Sequence, residues 1–435
     1  MEGSPVFLSM PLKKICALLL LLAGLPLHAE NWPRFRGPTG QGISNEKGVP
    51  TSWGTDSNVV WKTAIQGDGW SSPVVWGSRV FLTSATEKGK RCHVLALEKN
   101  TGNILWDKQV FEQEPARKED KNSYATPTPC TDGERLYAVF GDGSVVALTM
   151  DGSIVWTNRE AKFYSRHGLG ASPIVYDGLV IMPYDGSNKV GEAGKYPQVT
   201  SEERLGWQIP WDKSFIVGLD AKTGTRVWTA KRGMSRIAHV TPNILQADGG
   251  AQLISCAGDA VQGFNPKTGE RIWTVYSQGE GVTPSFAMGD GLIFTSSGFE
   301  KTTLRTVKVG GKGDVTQSHV AWEQRKGAPT QSSLLYVKPY LYSVTDGGIA
   351  NCYKAETGDV VYQERIGGTF CASPVYADGN IYFLSEQGDT TVVKAGPEFK
   401  GISKNSIGER CQASMAISDR AIYIRSDKHL FRMGK

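Results

Sequence analysis

Residues Ile216 to Trp228 read Ile-Val-Gly-Leu-Asp-Ala-Lys-Thr-Gly-Thr-Arg-Val-Trp, a unit that recurs along the chain. An apolar strand comes first, Thr223-Gly224 provides a turn, and the next strand ends on tryptophan. The segment from Leu97 to Trp106 repeats this order of features. Other copies also end on a large aromatic residue: Trp156, Trp273, Trp322 and Tyr362. Repeated strand pairs around a glycine turn predict an antiparallel sheet in every unit.

A second recurring element precedes this pair of strands. It starts with serine or threonine, often followed by proline and two apolar residues, as in Ser72-Pro73-Val74-Val75. A turn such as Asp177-Gly178 follows, and Asp-Gly between apolar runs is a hairpin signal because the turn needs positive φ. Eight copies are placed at Ser72, Thr126, Ser172, Thr241, Thr283, Ser332, Ser373 and Ser414.

Four short strands per copy are typical of one blade of a β-propeller. The sequence therefore predicts an all-β, eight-bladed propeller of four-stranded antiparallel blades. The last copy is too short for four strands, whereas Asn58 to Trp61 resembles a fourth strand that no first strand precedes. We expect this N-terminal segment to complete the last blade and close the ring.

The N-terminus has the features of a secretory signal peptide. Two lysines precede an apolar run from Ile15 to Leu27, and a small residue, Ala29, follows. We expect residues 1–29 to be a signal peptide and residues 30–435 to be one propeller domain. The predicted location is periplasmic or secreted, as a monomer without a transmembrane or lipid anchor.

Composition excludes several function classes. Glycine is abundant, 51 of 435 residues, as many hairpin turns require. The 48 basic and 43 acidic residues are interspersed, so nucleic-acid binding is not expected. The chain carries no GxSxG, HExxH or phosphate-binding loop motif. Six cysteines follow the signal segment without a CxxC, so no metal site is predicted: Cys92, Cys130, Cys256, Cys352, Cys371 and Cys411. Among possible disulfides, Cys371 with Cys411 is favoured.

The unit Leu219-Asp220 through Thr223-Gly224 to Trp228 resembles the pyrroloquinoline quinone (PQQ) repeat. That repeat is found in eight-bladed propellers of exported bacterial proteins, among them quinoprotein dehydrogenases and the BamB-type outer-membrane assembly propeller. The opening Asn31 to Pro38 resembles the start of a further exported group.

The resemblance implies a PQQ site with calcium in the dehydrogenases. It would include a tryptophan floor, adjacent disulfide-bonded cysteines, Glu and Asn ligands to calcium and a catalytic Asp. This sequence has no adjacent cysteines. Asp185 and Asp212 are candidate acids, but turn residues on the surface are the favoured interpretation, and the catalytic residues are left unknown.

Residues just before each Ser/Thr-Pro element are expected to line one mouth of the central channel. A small anionic or planar ligand would find cations and aromatic rings there. The candidate ligand- or cofactor-binding residues are Trp70, Tyr124, Arg166, His167, Arg236, His239 and Gln331, with Glu280, Thr369, Arg410 and Gln412 in the same ring. A channel that is polar and water-filled without any ligand remains an alternative.

An insertion in the third blade, residues 186–213, carries Trp207 and Trp211 beside prolines and is a candidate cap or partner-binding loop. A structural flap is the alternative. The favoured function is a non-catalytic module of the cell envelope that binds a ligand or a protein. A PQQ-dependent dehydrogenase of alcohols, polyols or sugars and an outer-membrane assembly scaffold are the alternatives.

Overall fold

Eight antiparallel sheets follow one another around a common axis, which confirms the predicted eight-bladed propeller. The structure is a computed structural model that describes residues 1, 3, 29–115, 118–161, 163–186, 213–233, 235–247, 249–258, 260–277, 283–297 and 302–434. The expected signal peptide lies almost entirely outside these residues. Most of the insertion in the third blade, including Trp207, Trp211 and Asp212, and also Glu280, lie outside them as well.

The first described strand, β1 (Val59–Ala64), belongs to the eighth blade. Blade one contains β2 (Val74–Trp76), β3 (Arg79–Thr86), β4 (Arg91–Glu98) and β5 (Ile104–Glu112), with a 3-10 turn at Glu87–Gly89. Blade two contains β6 (Cys130–Thr131), β7 (Arg135–Val139), β8 (Val145–Thr149) and β9 (Ile154–Asn158). Blade three contains β10 (Ile174–Tyr176), β11 (Leu179–Tyr184), β12 (Phe215–Asp220) and β13 (Arg226–Lys231). Blade four contains β14 (Asn243–Ala247), β15 (Gly250–Ala257), β16 (Ala260–Phe264) and β17 (Arg271–Tyr276).

Blade five contains β18 (Ala287–Gly289), β19 (Leu292–Ser297), β20 (Thr303–Lys308) and β22 (Val320–Gln324). Between β20 and β22, β21 (Gly313–Asp314) joins the outer edge of blade four and the short helix α1 (Thr316–His319) follows. Blade six contains β23 (Leu335–Val337), β24 (Tyr340–Val344), β25 (Ile349–Lys354) and β26 (Val360–Arg365). Blade seven contains β27 (Val375–Ala377), β28 (Asn380–Leu384), β29 (Asp389–Lys394) and β30 (Lys400–Ser406). Blade eight contains β31 (Ala416–Ser418), β32 (Ala421–Arg425) and β33 (His429–Met433), together with β1. Within the described residues, no helix is long and apolar enough to cross a membrane.

The first strand of each blade lies nearest the axis. First strands of neighbouring blades contact one another, for example β2 with β31 and β23 with β27. The fourth strands form the outer rim, where apolar side chains such as Ile104 and Val227 are exposed. The core therefore lies between neighbouring blades. Because the first strands are innermost, the residues at the start of each first strand face the central channel.

The N-terminal segment completes blade eight, as the sequence predicts. Strand β1 pairs antiparallel with β33, and Trp61 lies opposite Arg432. Beside this junction, the Glu409 carboxylate lies 2.7 Å from Lys62 Nζ and 2.9 Å from His429 Nδ1. Burial favours the neutral form of Glu409, but hydrogen bonds from Lys62, Ser426 and His429 outweigh it and lower the pKa to about 2. The two ends of the chain are thus joined by strand pairing and by a charged cluster.

The glycine and tryptophan of the repeat pack against each other across blade boundaries. A Cβ atom on Gly224 would lie 2.5 Å from the Trp156 ring of the preceding blade, and Gly224 has a φ of +74°. Trp156 Nε1 donates to Ala221 O at 3.0 Å in the same turn. Gly102 and Trp61 repeat this arrangement between blades one and eight. Glycine is required at this turn both by the backbone conformation and by the ring lying on it, so the repeat encodes the contact between blades.

Candidate functional site

A ring of eight hydroxyl groups surrounds the axis. Each blade contributes one serine or threonine just before its first strand: Ser72, Thr128, Ser172, Thr241, Ser285, Ser333, Ser373 and Ser414. Within the described residues, seven backbone N–H groups of this set donate to the hydroxyl oxygen of the next blade, at 2.9 to 3.3 Å. This set is called the hydroxyl ring below. It fixes neighbouring blades at the same height along the axis.

The hydroxyl ring corrects the predicted repeat at three copies. The residues equivalent to Ser72 are Thr128, Ser285 and Ser333, rather than Thr126, Thr283 and Ser332. Blade two has two Thr-Pro pairs in succession, and in blade five the equivalent serine is followed by phenylalanine instead of proline. Proline was therefore a misleading guide, because the structural requirement at this position is for the hydroxyl oxygen.

The cavity on the axis has a volume of about 470 Å³. The hydroxyl ring lines one half of the cavity, which is called the lower part below. In each blade, the residue two positions earlier lines the upper part. These seven side chains and one glycine are called the mouth ring: Trp70, Thr126, Gly170, His239, Thr283, Gln331, Cys371 and Gln412. Residues two positions apart in an extended chain point to the same side. Both rings come from the same eight segments, so they form two layers that both face the cavity.

The end of the channel below the hydroxyl ring is crossed by the segment from Glu30 to Ser44. Within the described residues, this segment makes hydrogen bonds to seven blades. Trp32 pairs with Val75 of blade one, and Ile43 pairs with Tyr376 of blade seven. Phe35 lines the cavity from this side. We call residues 30–44 the N-terminal plug, because they lie across this end of the cavity.

Arg36 holds the plug in the channel. Its side chain is 1% exposed and donates to Phe286 O at 3.2 Å, to Gln41 O at 2.9 Å and to Leu334 O. Burial lowers its pKa to about 9, so it is charged at pH 7. Arg34, in the same segment, donates to Asn243 Oδ1 at 2.9 Å. The opening Trp-Pro-Arg-Phe-Arg-Gly motif is thereby explained as a plug that links the blades below the cavity.

Five of the seven candidate binding residues line this cavity. Trp70, His239 and Gln331 belong to the mouth ring, and Arg166 and His167 line the cavity from the loop before blade three. Gln412, from the wider predicted set, lines it too. Tyr124 and Arg236 are not among the residues that line it, and neither are Thr369 and Arg410.

Local packing accounts for the positions of two of these residues. A Cβ atom on Gly89 would lie 2.0 Å from the Tyr124 ring, so this tyrosine is packed on the turn of blade one. The Arg410 guanidinium lies 5.5 Å from the centre of the Trp70 ring, beside a residue that lines the cavity.

The charged groups at the mouth are paired. Glu119 lies 3.8 Å from Arg166 Nε and 4.0 Å from His167 Nδ1, and Lys121 Nζ lies 3.6 Å from Glu386. Arg410 pairs with Asp427 at 3.1 Å. Three of the cations predicted to attract an anion here therefore have a carboxylate within 4.0 Å: Arg166, His167 and Arg410.

His239 and Cys371 are held in uncharged forms. Burial and the neighbouring charge of His167 lower the pKa of His239 to about 3, and the two rings meet edge to face with centroids 6.3 Å apart. Burial raises the pKa of Cys371 to about 12, and its Sγ lies 2.5 Å from Gln412 Oε1. All six cysteines after the signal segment are unpaired, so the favoured Cys371–Cys411 disulfide is wrong. Cys411 is directed instead towards Glu409 O at 3.5 Å.

Asp185 is buried, which corrects its assignment as a surface turn residue. It is 2% exposed and its Oδ2 accepts from Arg232 Nη2 at 2.8 Å. Burial raises its pKa to about 6 while Arg232 opposes the rise, so the carboxylate is ionised at pH 7. Arg232 also donates to Ser255 and to Gln262. Asp185 therefore anchors the start of the third-blade insertion and does not line the axial cavity.

Among the described residues, no set of side chains at this cavity can be assigned to calcium beside PQQ. In the part of the chain that the structure describes, no three His, Cys, Asp or Glu side chains are grouped so as to hold a metal ion. Glu119 and Asn122 are a glutamate and asparagine at the cavity, and both are engaged: Glu119 by Arg166, and Asn122 by His167 O and by Ser123 N–H. We therefore assign no residue here to calcium.

The comparisons with known proteins agree with this architecture. A family model described as outer membrane protein assembly factor BamB matches residues 45–148, 127–298 and 309–396, which is more than half of the chain. BamB from Moraxella catarrhalis has a similar structure, with a TM-score of 0.59, 14% identity and coverage of 86% of this chain and 96% of that chain.

Two further solved structures match the chain. The computationally designed Ika8 protein matches with a TM-score of 0.57 and 11% identity, covering 85% of this chain and 98% of that one. A europium-containing methanol dehydrogenase matches with a TM-score of 0.47 and 12% identity, covering 91% and 89%. No curated protein matches the chain. On the match to the family model, the chain belongs to the PQQ_2 family of BamB-like propellers.

Proposed function

We propose that the protein is a non-catalytic binding module of the bacterial cell envelope, periplasmic or secreted, which receives a small ligand in its axial cavity. The observation that carries this proposal is the cavity itself: about 470 Å³, crossed at one end by the N-terminal plug and lined at the other by the mouth ring. A concave site of this size with a few directed polar groups is typical of small-molecule binding.

The state of the chemically active side chains favours binding over catalysis. A general base must accept a proton near neutral pH, whereas the pKa of His239 is about 3. A cysteine nucleophile acts as the thiolate, whereas the pKa of Cys371 is about 12. Both side chains are therefore suited to contact a ligand rather than to transform it.

Two alternatives follow from the family. A PQQ-dependent dehydrogenase is the weaker one, because no calcium ligands can be assigned among the described residues that line the cavity. An outer-membrane assembly scaffold is supported by the description of the matching family model. A scaffold would bind protein partners and would co-purify with an outer-membrane assembly complex.

The mouth ring offers a direct test. Thr283 is half-buried, lines the cavity and makes no side-chain hydrogen bond to another described residue. A Thr283→Trp substitution should fill the mouth, whereas Val227→Trp, on the exposed outer rim, is the matched control. The probes are PQQ with calcium and a panel of small carboxylates, amides and sugars, measured by calorimetry.

We expect at least one compound of the panel to bind saturably, with affinity reduced by about tenfold or more in Thr283→Trp and unchanged in Val227→Trp. Binding that is equal in both variants would place the ligand elsewhere and overturn the proposal. Dye-linked oxidation of an alcohol by the PQQ-loaded protein would favour the dehydrogenase instead. A lack of binding by the whole panel would contradict the binding role.

A further inference from the structure

The hydroxyl ring presents hydrogen-bond donors to the cavity. Its eight members are each more than nine-tenths buried, and each lines the cavity. Seven of the oxygens accept the N–H of a neighbouring ring residue, which leaves the O–H to donate. Within the described residues, seven of the eight hydroxyls donate to no acceptor, the exception being Ser373, which donates to Ser333 Oγ at 2.8 Å. A buried circle of unused O–H donors is suited to a ligand rich in acceptors.

A buried positive charge lies close to two members of this ring, although Arg36 itself does not line the cavity. Arg36 donates to the carbonyls of Phe286 and Leu334, which immediately follow the ring members Ser285 and Ser333. Its partners are carbonyl oxygens, and among the described residues no carboxylate forms an ion pair with it. Its Nε–H has no acceptor there either. An uncompensated charge in a buried setting exerts a stronger field than the same charge in water.

The mouth ring differs from this floor. The charges beside it are paired, as described above, and apolar surface is supplied there by Trp70, Ile237 and Ala413. The two ends of the cavity therefore differ: the plug end has buried hydroxyl donors with the Arg36 cation close by, and the mouth has ion-paired charges and the Trp70 ring.

We propose that the ligand is a small organic anion, bound with its carboxylate or similar oxyanion group against the hydroxyl ring above Arg36 and its apolar part towards Trp70. This inference rests on the proposed binding role. It selects the anion from the two expected ligand types and adds the position of its oxyanion group and its orientation. Hydrogen bonds from several hydroxyls and attraction by the guanidinium would act together on the oxyanion.

The orientation can be read directly in a crystal. The protein is crystallised with para-bromobenzoate, and the bromine is located by anomalous scattering. We expect the bromine peak at the level of the mouth ring, beside Trp70, with the carboxylate at the hydroxyl ring. A bromine peak against Phe35 at the floor would overturn the proposed orientation.

Affinities test the charge preference in solution. By calorimetry, para-bromobenzoate should bind about tenfold or more tightly than the neutral isostere para-bromobenzamide. Ser285→Ala, next to the Arg36 contacts, should weaken binding of the carboxylate about threefold or more, whereas Ser172→Ala, in blade three, should weaken it less.

The two proposals fail in different ways. Equal affinity for the carboxylate and the amide would overturn the anion preference and leave the binding role intact. The same conclusion follows if neither compound binds while a sugar of the panel does. If no compound of the panel binds at all, both proposals are wrong.

Discussion

Replacing Arg36 with methionine should strongly destabilise the propeller. The guanidinium donates to three backbone carbonyls that have little access to water. Each unpaired buried acceptor costs about 1–3 kcal/mol, so we expect a loss of about 3 kcal/mol or more, although removing a buried charge offsets part of it. The measurement is the free energy of unfolding in urea, with the apparent Tm as a second readout.

Arg34→Met is the matched control for this prediction. Arg34 lies two residues away in the same segment, is only half-buried, and reaches a side-chain amide and Pro38 O rather than carbonyls of two other blades. We therefore expect a smaller loss of stability. Equal losses in the two variants would contradict the role of Arg36 as the anchor of the plug.

Replacing Asp185 with alanine should cost about 3–5 kcal/mol, because it leaves the charge of Arg232 buried without its carboxylate. Both side chains are at most 2% exposed, and they join the start of the third-blade insertion to the end of β13. The backbone N–H of Arg232 also donates to Ser214 O at 3.2 Å, just beyond the insertion. The loss should appear in urea unfolding at pH 7, where Asp185 is ionised.

A double substitution separates the charge effect from packing. If the unpaired cation is the cause, Asp185→Leu combined with Arg232→Met should be more stable than Asp185→Ala alone, since apolar replacement of a buried ion pair is often tolerated. A double variant that is less stable than Asp185→Ala would show instead that the hydrogen bonds of Arg232 to Ser255 and Gln262 dominate.

The blades and their closure could be predicted because their signals are local. The turn glycine and the aromatic residue of each repeat are a few positions apart in sequence. The glycine indicates a turn with positive φ, and the aromatic residue indicates a contact with the next blade. The prediction that Trp61 completes the last blade succeeded for the same reason, since a fourth-strand sequence without a first strand needs a partner elsewhere.

Which residue of each repeat belongs to the hydroxyl ring was predicted less well. The sequence pattern was anchored on proline, yet Ser285 and Ser333 lack a following proline and occupy the ring all the same. The requirement at this position is a hydroxyl oxygen that meets an N–H of the neighbouring blade. Such a contact joins residues 40 to 69 positions apart and leaves no local sequence signal.

The charged groups of the interior were beyond prediction from sequence. Asp185-Gly186 has the same dipeptide as the surface turns, and its burial depends on Arg232, 47 residues later. Likewise, the plug reaches blade six through Arg36 and Leu334, 298 residues apart. In both cases the partner that makes burial tolerable is distant in sequence.

Labelling of Cys371 tests most directly whether the axial cavity is a site open to ligands from the mouth ring. Among the described cysteines, Cys371 is half-buried and lines the cavity, whereas Cys92, Cys130, Cys256, Cys352 and Cys411 are buried. The native protein is treated with a small methanethiosulfonate reagent under alkaline conditions, and modified peptides are identified by mass spectrometry. We predict selective modification of Cys371 that is much slower in Thr283→Trp. Labelling of Cys371 at the same rate in Thr283→Trp as in the native protein would contradict a cavity entered through the mouth ring.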